Sequence, residues 1–210
     1  MISNSVIDQC YSRVHIHENF YLRSVGGLLG ASSNSLISDS FYFGYITSKK
    51  NLYNLRVGGL IGSVVESVIE NCYVAGNSLF LNVSSLIGSI NGTTMRNSFW
   101  DIDTTGMTNL YSDFGTHNYI INNLGLSTLE MNQKSTFIES DWNFENVWML
   151  ESYVNASYPY LLAMRIEPNV SESDLIDTPV MTALHGNFPN PFNPITSIRY
   201  RISENKYRCF

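Results

Sequence analysis

Apolar and polar positions along the first hundred residues fall into short extended segments separated by turns. In SVIENCY, Ser67–Tyr73, Val68, Glu70 and Cys72 alternate with Ile69, Asn71 and Tyr73, which predicts a strand with Ile69 and Tyr73 on one face. That segment recurs. SVIDQCY (Ser5–Tyr11), SLISDSF (Ser35–Phe41), SVIENCY and TTMRNSF (Thr93–Phe99) align without gaps, their aromatic ends 30, 32 and 26 residues apart. A second marker keeps nearly the same register: VGGLLG (Val25–Gly30), VGGLIG (Val57–Gly62) and VSSLIG (Val83–Gly88) start 32 and 26 residues apart. Two markers in one long register predict a repeat protein whose units bury their apolar faces only by stacking on one another. An antiparallel β-sandwich is the alternative, but sandwiches show closely spaced turn signals and no paired markers of long period.

The repeat glycines Gly26, Gly27, Gly30, Gly58, Gly59, Gly62 and Gly88 form the structural motif, and the GG pairs suit close backbone approach. Ser84 and Ser85 replace the pair in the third marker, which predicts a last coil loosening toward a cap. Met1 opens directly into a unit, an uncapped edge for which the reading expects further coils upstream.

VGGLLG and VGGLIG, each followed by an (I/L)-x-(N/D)-(C/S)-(Y/F) element, resemble the GLUG repeats of bacterial surface and secreted proteins. Asn97–Leu161 resembles the segment that closes such arrays: NSFWDIDTTGM, LSTLEMNQKSTF, DWNFENVWML and YPYL. The resemblance implies an all-β fold, a right-handed parallel β-helix or related solenoid, here of about four repeat units.

Composition divides the chain. Thirteen of the fourteen glycines precede residue 126 and all six prolines follow residue 158. The expected organisation is a solenoid over 1–107, a small cap over 108–162, an acidic linker over 163–182 and a partial C-terminal domain over 183–210. Within the cap, Ser127-Thr128-Leu129-Glu130 reads as a capping box opening one short helix to about Ser135. Trp142, Phe144, Trp148, Tyr158 and Tyr160 are expected to plug the open end of the solenoid; a carbohydrate-stacking platform is the rival, decided by their burial.

After the linker, Pro189, Asn190, Pro191, Phe192, Asn193 and Pro194 precede an alternating run, Ile195–Ile202. PNPFNP followed by TSIRY resembles the opening of C-terminal β-sandwich modules that sort proteins through type IX secretion in some Gram-negative bacteria. An immunoglobulin-like sandwich takes about 100 residues, so the resemblance implies an incomplete one, truncated or frameshifted.

Only 14% of residues are charged, against roughly 25% in typical soluble domains, so Asn, Ser, Thr and Tyr keep the surface wet. Twelve basic against eighteen acidic residues, net −6, argue against nucleic acid and anionic membranes as partners. No apolar run is long enough to span a bilayer, and no signal peptide is visible.

Candidate chemistry is sparse. Cys10, Cys72 and Cys209 form no CxxC pair, and Cys10 and Cys72, at equivalent repeat positions two coils apart, exceed disulfide reach. They read as small buried side chains. His17-Glu18 begins like HExxH, but Tyr21 stands where the second histidine belongs. His15 and His17 share a strand face without a third ligand and read as exposed loop residues. Asp101 and Asp103, with Gly106, match half a calcium loop, but position twelve is Ser112; calcium is the one weak cofactor candidate, and turn capping is the alternative.

No nucleophile elbow, phosphate loop or dinucleotide fingerprint appears. The expectation is a non-enzymatic scaffold, secreted or at the surface of a Gram-negative bacterium. Host-surface or glycan contacts fall to the variable loops Arg13–Arg23 and Gly44–Asn54, and the tail, if complete, addresses the secretion machinery. The rival is a β-helix enzyme degrading polysaccharides, or an accessory module of a larger hydrolase, whose paired carboxylates sequence alone cannot locate.

Overall fold

The computed structural model describes residues 1–18, 24–48, 56–76, 84–164, 183–188 and 197–201. The chain divides into two compact units, one holding residues 1–164 and the other residues 165–208.

Three five-stranded parallel sheets form the first unit. The first contains β1 (Ile2–Ser3), β6 (Leu29–Ser33), β11 (Ile61–Val65), β14 (Ile87–Asn91) and β17 (Tyr111–Phe114). The second contains β2 (Val6–Asp8), β7 (Leu36–Ser38), β12 (Val68–Glu70), β15 (Thr94–Arg96) and β18 (Tyr119–Ile121). The third contains β3 (Tyr11–Ser12), β8 (Phe41–Phe43), β13 (Tyr73–Ala75), β16 (Phe99–Asp101) and β19 (Leu124–Leu126). In each sheet, strands pair in the order of the coils they come from, each coil lying on the next. Two further parallel pairs, β4 (Ile16–Glu18) with β9 (Ile46–Ser48) and β5 (Ser24–Gly26) with β10 (Arg56–Gly58), extend the early coils. The fold is all-β, and this stacking of parallel sheets fits a β-helix.

Two corners per coil explain why strands this short change direction in register. At the first, a residue with positive φ (Asn4, Asn34, Glu66, Gly92 or His117) precedes Ser5, Ser35, Ser67, Thr93 or Asn118. At the second, Gln9, Asp39, Asn71, Asn97 or Asn122 precedes Cys10, Ser40, Cys72, Ser98 or Asn123. Asn and Asp tolerate this left-handed backbone better than other residues with side chains. The following hydroxyl turns back to a carbonyl two residues earlier, as Ser67 Oγ does to Val65 O at 2.8 Å, and accepts the N–H of the preceding coil. Ser5 N–H donates to Ser35, Ser35 N–H to Ser67, Ser67 N–H to Thr93, and Thr93 N–H to Asn118 Oδ1. The corner thus satisfies the backbone groups that a bend would leave bare.

The sharp corner corrects the predicted face. Positive φ at Asn71 turns the chain between Ile69 and Tyr73, sending Ile69 and Cys72 into the interior and Tyr73 outward. Ile7, Ile37, Ile69, Met95 and Ile120 stand in register in one interior file, and Tyr42, Val74 and Trp100 in another. Outside, Tyr11 stacks on Phe41 at 5.3 Å between centroids and Phe41 on Tyr73 at 4.8 Å.

The stack also runs further than the repeat motif indicated. A fifth rung, Tyr111–Leu126, lies beyond the expected solenoid boundary at residue 107 and exceeds the expected four units. Asn118 and Asn123 replace Ser there: each amide oxygen does the accepting work of the hydroxyl, at 3.0 Å from Thr93 N and from Ser98 N. Ser84 and Ser85 do not loosen the last coil; both are buried, with backbone bonds from Ser84 N to Val57 O and from Ser85 N to Asn109 O.

Beyond the fifth rung the predicted capping box is present, Ser127 Oγ accepting from Glu130 N–H and Glu130 accepting from Ser127 N–H at 2.8 Å. The expected single helix is two: α2 (Thr128–Met131) and α3 (Lys134–Ile138), after a short α1 (Ile102–Thr105). Met131 and Phe137 are both fully buried. Six residues apart, they would point about 240° apart on a continuous helix, and the extended Gln133 lets both face one core. An antiparallel pair, β20 (Trp148–Met149) with β21 (Tyr160–Leu161), completes this unit. In the second unit, β22 (Ala183–Phe188) pairs antiparallel with β23 (Ser197–Arg201).

Candidate functional site

The outward aromatic row of the third sheet is covered by residues 137–164. Trp142, Trp148, Tyr158 and Tyr160 are buried and Phe144 partly so. They lie along the flank of the stack and not across its end, which corrects the expected plug: Trp148 Nε1–H donates to Asp39 Oδ1 at 2.8 Å in the second coil, and Trp142 Nε1–H to Asn97 O at 2.9 Å in the fourth. Trp142 and Trp148 meet at 4.6 Å, and Tyr73 packs against both. The burial of Trp142, Trp148, Tyr158 and Tyr160 favours the packing role over a sugar-stacking platform on these four rings.

Asp39 carries the electrostatic cost of this strap. Burial raises its pKa above the ordinary carboxylate value, the Trp148 hydrogen bond opposes the rise, and the carboxylates of Asp8 and Glu70 reinforce it. Cys72 is fully buried and its thiol is pushed up by desolvation, which keeps it a small inert side chain.

Asp101 and Asp103, the calcium candidates, are tied to the strap. Asp101 caps α1, its Oδ1 accepting from Asp103 N–H at 2.8 Å and Thr104 N–H at 3.0 Å. Its Oδ2 accepts from Thr128 Oγ1–H at 2.7 Å and Tyr158 O–H at 2.5 Å. Asp103 accepts from Thr128 N–H at 2.9 Å. Burial, with the bond to Asp101, pushes the Tyr158 phenol up to about 12. The four donors fall on Asp101, which caps α1 and joins it to Thr128 and Tyr158, while Asp103 accepts the one bond from Thr128 N–H. Among the described residues no three His, Cys, Asp or Glu side chains converge.

The motif glycines sit where coils touch. A Cβ on Gly58 would lie 2.3 Å from Ile61 O and 2.4 Å from Gly88 N, and one on Gly62 2.5 Å from Val25 N. Gly26, Gly27, Gly59 and Gly88 are crowded in the same way; Gly30 is not, its nearest neighbour being 3.4 Å away. The crowded ones let neighbouring coils approach backbone to backbone. Beside them a narrow crevice lined by Tyr42, Gly59, Val74, Ser84 and Ser85 has room for roughly one water-sized group.

Of the two contact loops, the described parts are structured. Ile16–Glu18 and Ile46–Ser48 pair as strands, so His17 lies in a strand and not in a loop, with Nδ1 2.7 Å from Thr47 Oγ1. His15 stacks on Tyr45 at 4.1 Å. Arg13 is engaged by the strap, donating to Asn155 Oδ1 and lying over the Phe43 ring. Residues 19–23 and 49–54 of these loops lie outside the described residues, as do the linker residues 165–182 and the sorting motif Pro189, Asn190, Pro191, Phe192, Asn193 and Pro194. No helix among the described residues is long and apolar enough to cross a membrane.

Comparison with known proteins agrees with the repeat chemistry. Residues 53–78 match the GLUG motif. A protein of Evansella cellulosilytica named "Putative Gly-rich membrane protein" is 38% identical over 90 residues, 40% of this chain. The match spans only 9% of that relative's length. No solved structure matches.

Proposed function

We propose that this chain is a non-enzymatic scaffold segment of a bacterial secreted or cell-surface protein, a right-handed β-solenoid that displays its variable loops for adhesion. The observation that carries the reading is the engagement of its polar groups in building the stack: corner hydroxyls and amides bond from coil to coil, and Asp39 and Asp101 anchor the strap. The GLUG match and the relative's name support a surface setting. Loops, where contact residues concentrate on rigid scaffolds, are the part free to vary. The PNPFNP segment is read as the start of an incomplete sandwich that, when complete, addresses type IX secretion in a Gram-negative host.

The test is binding of the purified chain to a glycan array and to host-cell surfaces, repeated with residues 19–23 and 49–55 replaced by Gly-Ser linkers. Binding lost on replacement supports the reading; binding unchanged removes the loops from it. Release of sugar from acidic polysaccharides would put the hydrolase reading in its place.

A further inference from the structure

One interior file is uneven. Tyr42, Val74 and Trp100 stand in register in successive coils, and valine fills much less volume than the ring on either side of it. The narrow crevice beside Val74 is also lined by Ser84, Ser85, Thr105 and Met107, and it has room for roughly one water-sized group.

Ser84 and Ser85 are the residues that replace the GG pair in the third repeat marker, so they bring two hydroxyls to positions where the earlier coils carry none. The two residues are 1% and 2% exposed, and neither Ser84 Oγ nor Ser85 Oγ has a hydrogen-bond partner among the described residues. The stack fixes the backbone of both: Ser84 N–H donates to Val57 O at 3.0 Å and Ser85 N–H to Asn109 O at 2.9 Å. Other hydroxyls lining the crevice are already engaged. Tyr42 O–H donates to Val14 O at 3.0 Å, and Thr105 Oγ1–H donates to Asp101 O while the same oxygen accepts from Met107 N–H at 3.3 Å.

A buried hydroxyl without a partner keeps its whole desolvation cost, which is why such groups are few in folded chains. A purely apolar void stays dry, whereas one with two or more polar partners and room for a single molecule takes up a water. This crevice has both the room and the partners.

We propose that Ser84 Oγ and Ser85 Oγ hold one buried water molecule in the crevice beside Val74, bridging the two hydroxyls. At the GG pairs no side chain needs such a partner; at Ser84-Ser85 the water supplies it, and the fourth coil keeps its backbone bonds to the third.

A crystal structure of the whole chain at a resolution that shows ordered water tests this, together with water-oxygen magnetic relaxation dispersion, which counts slowly exchanging internal waters in solution. The expected density is one water within hydrogen-bond distance of both hydroxyls. Ser84→Ala/Ser85→Ala removes the partners and Val74→Ile takes up the room; each variant is expected to hold one slowly exchanging water fewer than wild type. A wild-type crevice without that density, or hydroxyls bonded to protein groups instead, overturns the proposal whether or not the variants fold. So do folded variants that keep the wild-type count.

Discussion

The glycines of the repeat motif differ in what they do, and the difference is local geometry. A Cβ on Gly58 would lie 2.3 and 2.4 Å from backbone atoms of two neighbouring segments, and backbone does not move aside as a long side chain does. Gly58→Ala is therefore expected to lower unfolding free energy by about 1–3 kcal/mol, whereas Gly30→Ala, with 3.4 Å of clearance, is neutral or slightly stabilising in urea unfolding. Asp39 gives a pH signature. Its folded pKa lies above its unfolded value, so ionisation is harder in the native state, and the fold gains as pH falls through the native pKa toward the unfolded one. Asp39→Asn keeps an acceptor for Trp148 without the charge. The variant is expected to be more stable than wild type at pH 7, with the gap closing as both are acidified; a gap constant with pH would assign the effect to contacts alone.

The corner is the element that the coils share. Cys72 N–H, buried with its residue, donates to Ser98 Oγ at 3.2 Å, and that hydroxyl returns to Arg96 O at 3.0 Å. Removing it strands a donor in a dry place, which costs more than the net worth of the bond. Ser98→Ala is expected to destabilise by about 1–3 kcal/mol in chemical unfolding. The fifth rung makes the same point in reverse. NYIINNLGL, Asn118–Leu126, keeps the spacing of SVIENCYVA, Ser67–Ala75, but Asn118 and Asn123 stand where that unit has Ser67 and Cys72. The needed property is an oxygen that reaches the preceding coil, and Asn supplies it with a longer side chain.

For the whole molecule, the strap decides which apolar surface water sees. Trp148 is fully buried, meets Phe41, Tyr73 and Trp142, and bonds Asp39. Trp148→Ala removes the ring and leaves Asp39 without that donor, an expected loss of about 3–5 kcal/mol. The strap is then expected to detach before the stack unfolds: early proteolysis within residues 139–157, dye binding to the bared Phe41–Tyr73 row, and a retained β-type circular dichroism spectrum. Simultaneous loss of the spectrum would show strap and stack to be one cooperative unit.

The amino-acid sequence by itself determined the local grammar. Alternation, the 26- to 32-residue spacing and the GG pairs specified strands in stacked units, because each coil repeats the same backbone needs at the same positions; the parallel arrangement was implied by the resemblance to GLUG repeats. The capping box was readable for the same reason, since donor and acceptor stand three residues apart. The fifth coil escaped because Asn in place of Ser hides the motif from a residue-by-residue comparison. Only the tertiary structure decided the rest. Whether Tyr73 points in or out depends on one positive φ at Asn71, and whether Trp148 plugs an end or lies on a flank depends on Asp39, 109 residues away. Contacts across such separations are set by the competition of whole surfaces for burial, and no local pattern carries them.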